Sequence, residues 1–202
     1  AGVLSGVLRP SQGQVLIAGE PLVVGRQAEA ARRGIGTVPA ERNPAGGIGV
    51  QSAEWNMAPP SPQRLRQGRS PVLSAARSAR MADGWIERLR IRVAGRHVQI
   101  RNLSGGNAQK VVFAKWMERG IRVFVLDDPG RGLDVGAKED IYQLLRELAA
   151  EGVAILLVSD NLPELIGLSN RIVTLRAGRI TDTIAAPAHA KPEEAAVVRG
   201  MV

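Results

Sequence analysis

The feature that most constrains this chain is a strand–helix–strand pattern in its second half. Val123-Phe124-Val125-Leu126 is an unbroken apolar run, as in a strand covered on both faces. Lys138 to Ala150 follows, with Ile141, Leu144, Leu145 and Leu148 at i, i+3, i+4 and i+7, which makes one apolar stripe on a helix. Gly152 stops that helix, and Val153 to Val158 reads as another buried strand. A helical crossover of this length joins parallel neighbours. The fold class expected is therefore α/β with a mostly parallel sheet. In such sheets ligands sit beyond the carboxyl ends of the strands.

The 202 residues, 45% of them hydrophobic, suffice for one domain with a sizeable core. Ala1 to Leu8 reads as the tail of a helix ended by Pro10 and the Ser11-Gln12-Gly13 turn. Gln14 to Ala18 and Ile35 to Val38 read as strands, and residues 43–49 as a loop. The stretch from Ala58 to Arg80, rich in Pro, Ser, Arg and Gln, is expected to be irregular or weakly helical. Met81 to Arg90, with Trp85 and Leu89 on one face, and Ala108 to Arg119 read as helices. Ile172 to Leu175 and Arg179 to Ile184 flank Gly178 and predict a hairpin, a small antiparallel element. The tail from Ala185 carries little signal.

Several classes drop out. With no cysteine, disulfides and thiolate metal sites are excluded. His97 and His189 lie far apart in sequence and do not make a metal pair. No apolar run approaches the roughly 20 residues that span a bilayer. The net charge of +8 admits a nucleic-acid or anionic-membrane partner. It reads more simply as arginines scattered over solvated faces, because aromatics are only 3% and leave few platforms for stacking bases.

Two short stretches carry chemistry. The strand 123–126 ends in Asp127-Asp128-Pro129, hard oxygen ligands that suit Mg²⁺ held with nucleotide phosphates. Leu103-Ser104-Gly105-Gly106-Asn107-Ala108-Gln109-Lys110 opens a helix, where Ser104 can cap and glycine amides can face an anion. Each alone is also what an acidic turn or a glycine-led helix start looks like.

Together they are more specific. Leu103 to Lys110 resembles the signature loop of ATP-binding-cassette (ABC) transporter ATPases, and Val111 to Met117 looks like the version in ribose, galactose and xylose importers. Val123 to Asp127 resembles the Walker B strand, and Pro129 to Lys138 the D-loop and the helix start after it. Gly34 to Asn43 resembles the Q-loop stretch of the second domain of tandem sugar-importer ATPases. That domain has Pro-Glu-Asp-Arg where this chain has Pro39-Ala40-Glu41-Arg42. The resemblance implies a P-loop NTPase-like ABC core over residues 1–202, with a helical subdomain at about 50–118. It implies ATP and Mg²⁺ as cofactors, with nucleotide contacts at Leu103, Ser104, Gly105, Gly106, Gln109 and Asp134 and metal contacts at Asp127 and Glu41. Asp128 falls at the catalytic-glutamate position and Asp160 at the switch-histidine position, so both catalytic positions are degenerate. The implied partners are a second nucleotide-binding domain, packed head to tail, and transmembrane permease subunits. No direct nucleic-acid contact is implied, and the implied location is peripheral, on the cytoplasmic face of the plasma membrane.

One part is missing from these residues. A phosphate-binding loop needs Gly-x-x-x-x-Gly-Lys followed by Ser or Thr. The lysines are Lys110, Lys115, Lys138 and Lys191, and none follows a glycine. Ala1 to Leu8 looks like the helix after that loop, which places the loop upstream of residue 1. The expectation is a signature loop offered in trans to a partner's ATP, by a chain that does not hydrolyse ATP alone and is marginally stable alone. The alternatives are a fragment of an active ATPase whose loop lies upstream, the product of a decayed gene and, on charge alone, a nucleic-acid-associated ABC protein.

Overall fold

The computed structural model describes residues 1–40, 46–58 and 74–201. They fall into two compact units, Ala1–Leu156 and Leu157–Val202.

The first unit opens with a single helical turn. Ser5 N–H donates to Ala1 O at 3.1 Å, and Gly6, at φ +76°, already ends the turn. Val7 N–H bonds Gly2 O and Gly6 N–H bonds Val3 O, the paired bonds of a Schellman stop. The stop is thus Gly6, four residues before Pro10. The expected strand at 14–18 shrinks to β1 (Leu16–Ile17), which pairs antiparallel with β2 (Glu20–Pro21). Ala18 and Gly19, at φ 50° and 83°, make the two-residue turn that suits a twisted hairpin. Helix α1 (Gln27–Arg32) follows.

β3 (Ile35–Val38), β4 (Val123–Asp127) and β5 (Ala154–Val158) form one sheet in the order β3-β4-β5. β3 and β4 are parallel, with Ile35 opposite Val123 and Val38 opposite Leu126. The central strand behaves as predicted, with Phe124, Val125 and Leu126 fully buried. β5 does not: Leu156 and Val158 are 41% and 42% exposed. It is an edge strand, and its apolar run, indistinguishable in composition from a central strand, leaves alternate residues open to solvent.

Among the described residues three helices lie between β3 and β4 in the chain. α2 (Ala53–Met57) is capped by Ser52, and α3 (Ala75–Arg88) by Ser74. α3 therefore begins six residues before the predicted Met81, inside the stretch expected to be irregular or weakly helical. The rest of that stretch, 59–73, lies outside the described residues. After a short 3₁₀ turn at Ile100–Asn102, α4 (Gly105–Arg119) runs for fifteen residues and ends at Gly120, φ 74°. α4 packs on both α2 and the sheet, and Trp85 of α3 donates its Nε1–H to Glu118 Oε2 at 2.8 Å. α5 (Val135–Ala150) buries Ile141, Leu144, Leu145 and Leu148, the predicted stripe. It starts at Val135 rather than Lys138.

The second unit holds α6 (Leu162–Leu168), the predicted hairpin β6 (Arg171–Arg176) and β7 (Arg179–Ala185), and α7 (Glu194–Arg199). Ala177 and Gly178, at φ 49° and 76°, turn the hairpin. Its core is Ile172, Ala186 and Val197, with Leu162, Ile166 and Ile184 packed against them. α7 lies in the tail that read as uninformative. Its signals were Glu193-Glu194 after Pro192 and a terminal Gly200.

Candidate functional site

The site centres on the start of α4. Gly105, Gly106 and Asn107 supply the first amides of the helix, which have no partner within it. The first amide to bond back is that of Ala108, on Ser104 O at 2.9 Å. Ser104 stands at the N-cap position but its hydroxyl does not cap. Instead Asn107 Nδ2 donates to Ser104 Oγ at 2.8 Å, and Asn107 Oδ1 accepts from the Arg92 amide at 2.8 Å. The oxygen lone pair is thus occupied from inside, so the Ser104 O–H can point outward. Ser104 itself is exposed. Uncapped amides, a helix dipole and an outward hydroxyl together suit an anionic oxygen.

Gly106 has a second duty. It is buried, and a Cβ built on it would lie 2.6 Å from the Ala137 Cβ at the start of α5. Only glycine lets the two helix starts approach this closely. One turn on, Lys110 Nζ reaches Asp140 Oδ2 at 2.8 Å and pins the same pair of helices. Gly106→Ala is expected to cost about 1–3 kcal/mol in equilibrium unfolding, the usual range for overpacking. Adding Ala137→Gly should recover part of that loss. No recovery in the double variant would show that the crowding lies elsewhere.

The remaining signature positions are spread out. Leu103, half-buried, lines a cavity of about 190 Å³ with Gly47, Ile100 and Val112. Gln109 is 1% exposed, on the packed face of α4, with Oε1 lacking a hydrogen-bond partner. Asp134 caps α5, its Oδ1 accepting from the Ala137 amide at 2.9 Å.

The acidic strand end is held by backbone geometry. Asp127 is the half-buried last residue of β4, and Asp128 turns the chain at φ 49°. Its carbonyl accepts from the Arg131 amide at 3.1 Å, while Pro129 and Gly130 are buried behind it. Glu41, the other expected metal contact, lies outside the described residues. Among the described residues no group of three or more His, Asp or Glu side chains is placed to hold a metal. A single carboxylate fits Mg²⁺ only when phosphates complete the shell.

A loop beside α4 completes the surroundings. Asn56, 4% exposed, donates to Ile48 O and Ser52 O and accepts from the Ile48 amide, which shapes residues 48–52. Lys115 Nζ donates to Gly46 O at 2.8 Å and ties the loop to the helix. Burial holds the Lys115 amine below the ordinary lysine value of 10.5. Between its lowered pKa and 10.5 the unfolded chain binds more protons than the fold, so stability rises with pH across that window. Lys115→Met should abolish this rise. Urea titrations at a series of alkaline pH values would show it as a wild-type advantage that grows toward 10.5, and a constant difference would refute it.

In the second unit Asp160 is exposed. Its neighbours form a tight cap on α6: Ser159 Oγ donates to Glu164 Oε2 at 2.9 Å, and Asn161 Oδ1 accepts from the Glu164 amide at 3.0 Å.

A family model described as ABC transporter matches residues 1–131. The chain belongs to the ABC transporter family. This ABC chain is 41% identical over 184 residues to the arabinose import ATP-binding protein AraG of Ralstonia nicotianae, an overlap of 89% of the chain and 36% of that protein. It is 41% identical over 183 residues to the ribose import ATP-binding protein RbsA of Bacillus subtilis, covering 90% of the chain and 36% of the relative. The chain thus spans little more than a third of the length of these relatives. Among solved structures, an ATP-binding cassette in a dimeric post-hydrolysis state, bound to ADP and Pi, superposes with a TM-score of 0.73 over 90% of this chain and 77% of that one, at 21% identity. The α/β ABC ATPase fold is therefore this chain's fold.

Within this ABC fold, sequence reasoning missed the residues that act at a distance. Asn107 had a visible signal, a polar side chain three residues after a cap serine. Ala137, Asn56 and the Lys115–Gly46 tie had none, since each depends on contacts across the fold.

Proposed function

We propose that this chain is a nucleotide-binding domain of a sugar importer that completes another cassette's ATP site and does not itself hydrolyse ATP. Its substrate side is a half-site. The Ser104 hydroxyl and the amides of Gly105–Asn107 would meet the phosphates of an ATP held by a partner domain, packed head to tail. Asp127 would contact Mg²⁺ only through those same phosphates. Transmembrane permease subunits would complete the assembly, with this domain on the cytoplasmic face and residues 50–118 as its helical subdomain.

The observation that carries the reading is the uncapped start of α4, with Ser104 Oγ held by Asn107 and facing solvent. A helix whose own serine declines to cap it leaves its amides for a ligand. The non-hydrolytic half of the reading rests on two residues: Asp128 would stand in for a longer carboxylate, and Asp160 would repel a γ-phosphate. The sugar-import assignment draws on the two relatives, whose names state arabinose and ribose import. The test is ATP turnover by an intact cassette paired with this chain, with Ser104 intact or replaced by arginine. Turnover indifferent to that substitution rejects the proposal.

A further inference from the structure

We propose that the second compact unit carries a binding site for a hydroxylated phosphomonoester, a sugar phosphate in chemical class, between the β6–β7 hairpin and α7. The inference is independent of the half-site reading and lies wholly within that unit. A cavity of about 510 Å³ opens there, lined by Arg176 from β6, by Thr181, Asp182 and Ile184 from β7, and by Ala196 and Arg199 from α7. Its size is in the range of small-molecule sites.

A bulge shapes the cavity. Thr174 pairs with Asp182 and Leu175 with Ile180, so Thr181 is an extra residue in β7. Consecutive strand residues ordinarily face opposite sides, but a bulge re-aims a side chain, and here Thr181 and Asp182 both line the cavity. Thr181 Oγ1 donates to Gly200 O, which ties the end of α7 to the bulge and occupies a carbonyl that would otherwise repel an anion. Glycine permits the approach, since a Cβ at position 200 would lie 3.2 Å from the Asp182 Cβ.

The polar groups left over define the ligand. Arg176 and Arg199 are exposed, and neither lies in a salt bridge among the described residues. Two guanidinium groups on one cavity match the charge of a phosphomonoester dianion, and their forked donors match its oxygens. Asp182 Oδ1 accepts from the Thr183 amide at 2.7 Å, while its Oδ2 has no hydrogen-bond partner among the described residues. A carboxylate on the same cavity as two arginines, yet bonded to neither, repels a second anionic group and accepts from hydroxyls. Ile184 and Ala196, half-buried, add an aliphatic surface. Among the described residues no aromatic side chain lines the cavity, so a nucleotide's base would find nothing to stack on. The combination fits one phosphate on an aliphatic frame that bears hydroxyls.

The test is isothermal titration calorimetry of the 202-residue chain with ribose 5-phosphate, inorganic phosphate and ribose. Ribose 5-phosphate is expected to bind about tenfold tighter than inorganic phosphate, the gain from one hydrogen bond to the Asp182 carboxylate, and ribose more weakly than either. Arg176→Gln and Arg199→Gln should each weaken ribose 5-phosphate by about 10- to 100-fold, because each removes a charge-assisted hydrogen bond. Arg171→Gln takes equal charge from the same strand outside the cavity and should lose far less. Asp182→Ala should weaken ribose 5-phosphate more than inorganic phosphate, and the reverse order would overturn the hydroxylated class. No binding of ribose 5-phosphate at millimolar concentration would overturn the site. So would equal affinity for inorganic phosphate or for ribose, or equal losses in Arg171→Gln and Arg176→Gln. All four substituted positions are exposed, so unchanged circular-dichroism melts are expected. The comparison of the three ligands on the parent chain decides the question even where a variant does not fold.

Discussion

Ser104→Arg should lower the ATP turnover of an intact cassette paired with this chain by about 100-fold, the usual cost of losing a preorganised donor to a developing anion. The same substitution should shift the chain's own unfolding free energy by no more than about 0.5 kcal/mol. The separation of the two effects is what makes the result informative. Ser104 is exposed and its hydroxyl caps nothing, so the helix does not depend on it. What arginine changes is the approach. A long side chain rooted at the N-cap position sweeps across the amides of Gly105 and Gly106 and holds a partner's triphosphate away from them. Ser104→Ala is the milder arm. It keeps the approach open and removes one hydrogen bond to a charged group, worth about 1.5–3 kcal/mol, so turnover should fall by at least tenfold. If both variants turned over like the parent, no phosphate would be meeting this helix end. If both unfolded, Ser104 would be structural after all.

What the sequence made legible was local. The apolar run at 123–126 and the stripe on α5 announce their environments because period and composition are set by immediate packing. The helix start at Ser104 and the acidic end of β4 were readable for the same reason, since caps and strand ends depend on residues within one turn. Other properties needed a partner distant in sequence. Gly106 looks like a ligand-facing glycine, yet its burial is dictated by Ala137, thirty-one positions on. Gln109 looks like part of the signature, yet the period of α4 turns it inward. β5 looked buried because valine and leucine do not record whether both faces of a strand are covered.

Phe124→Ala should cost about 3–5 kcal/mol in urea-induced unfolding, a large share of the roughly 5–15 kcal/mol that holds a domain together. Phe124 is fully buried in the central strand and meets Phe113 of α4 edge to face, with ring centroids 5.0 Å apart and planes at 66°. That geometry adds about 0.5–1.5 kcal/mol beyond burial. Phe113→Ala removes the same contact from the other side, so the double variant should cost less than the sum of the two singles. Phe124→Leu keeps most of the volume and loses the ring contact, and about 1.5 kcal/mol is expected for it. The pair also links stability to the site. α4 carries Ser104 at its exposed end and Phe113 at its middle, so the ring contact seats the helix on the strand that ends in Asp127. A helix that loses this seat can move its amides relative to the acidic strand end. Turnover of a paired cassette should then fall in Phe124→Leu even under conditions where the chain stays folded. A cost below about 1 kcal/mol for Phe124→Ala, well under the range for an emptied core site, would mean that α4 does not rest on β4 through these rings.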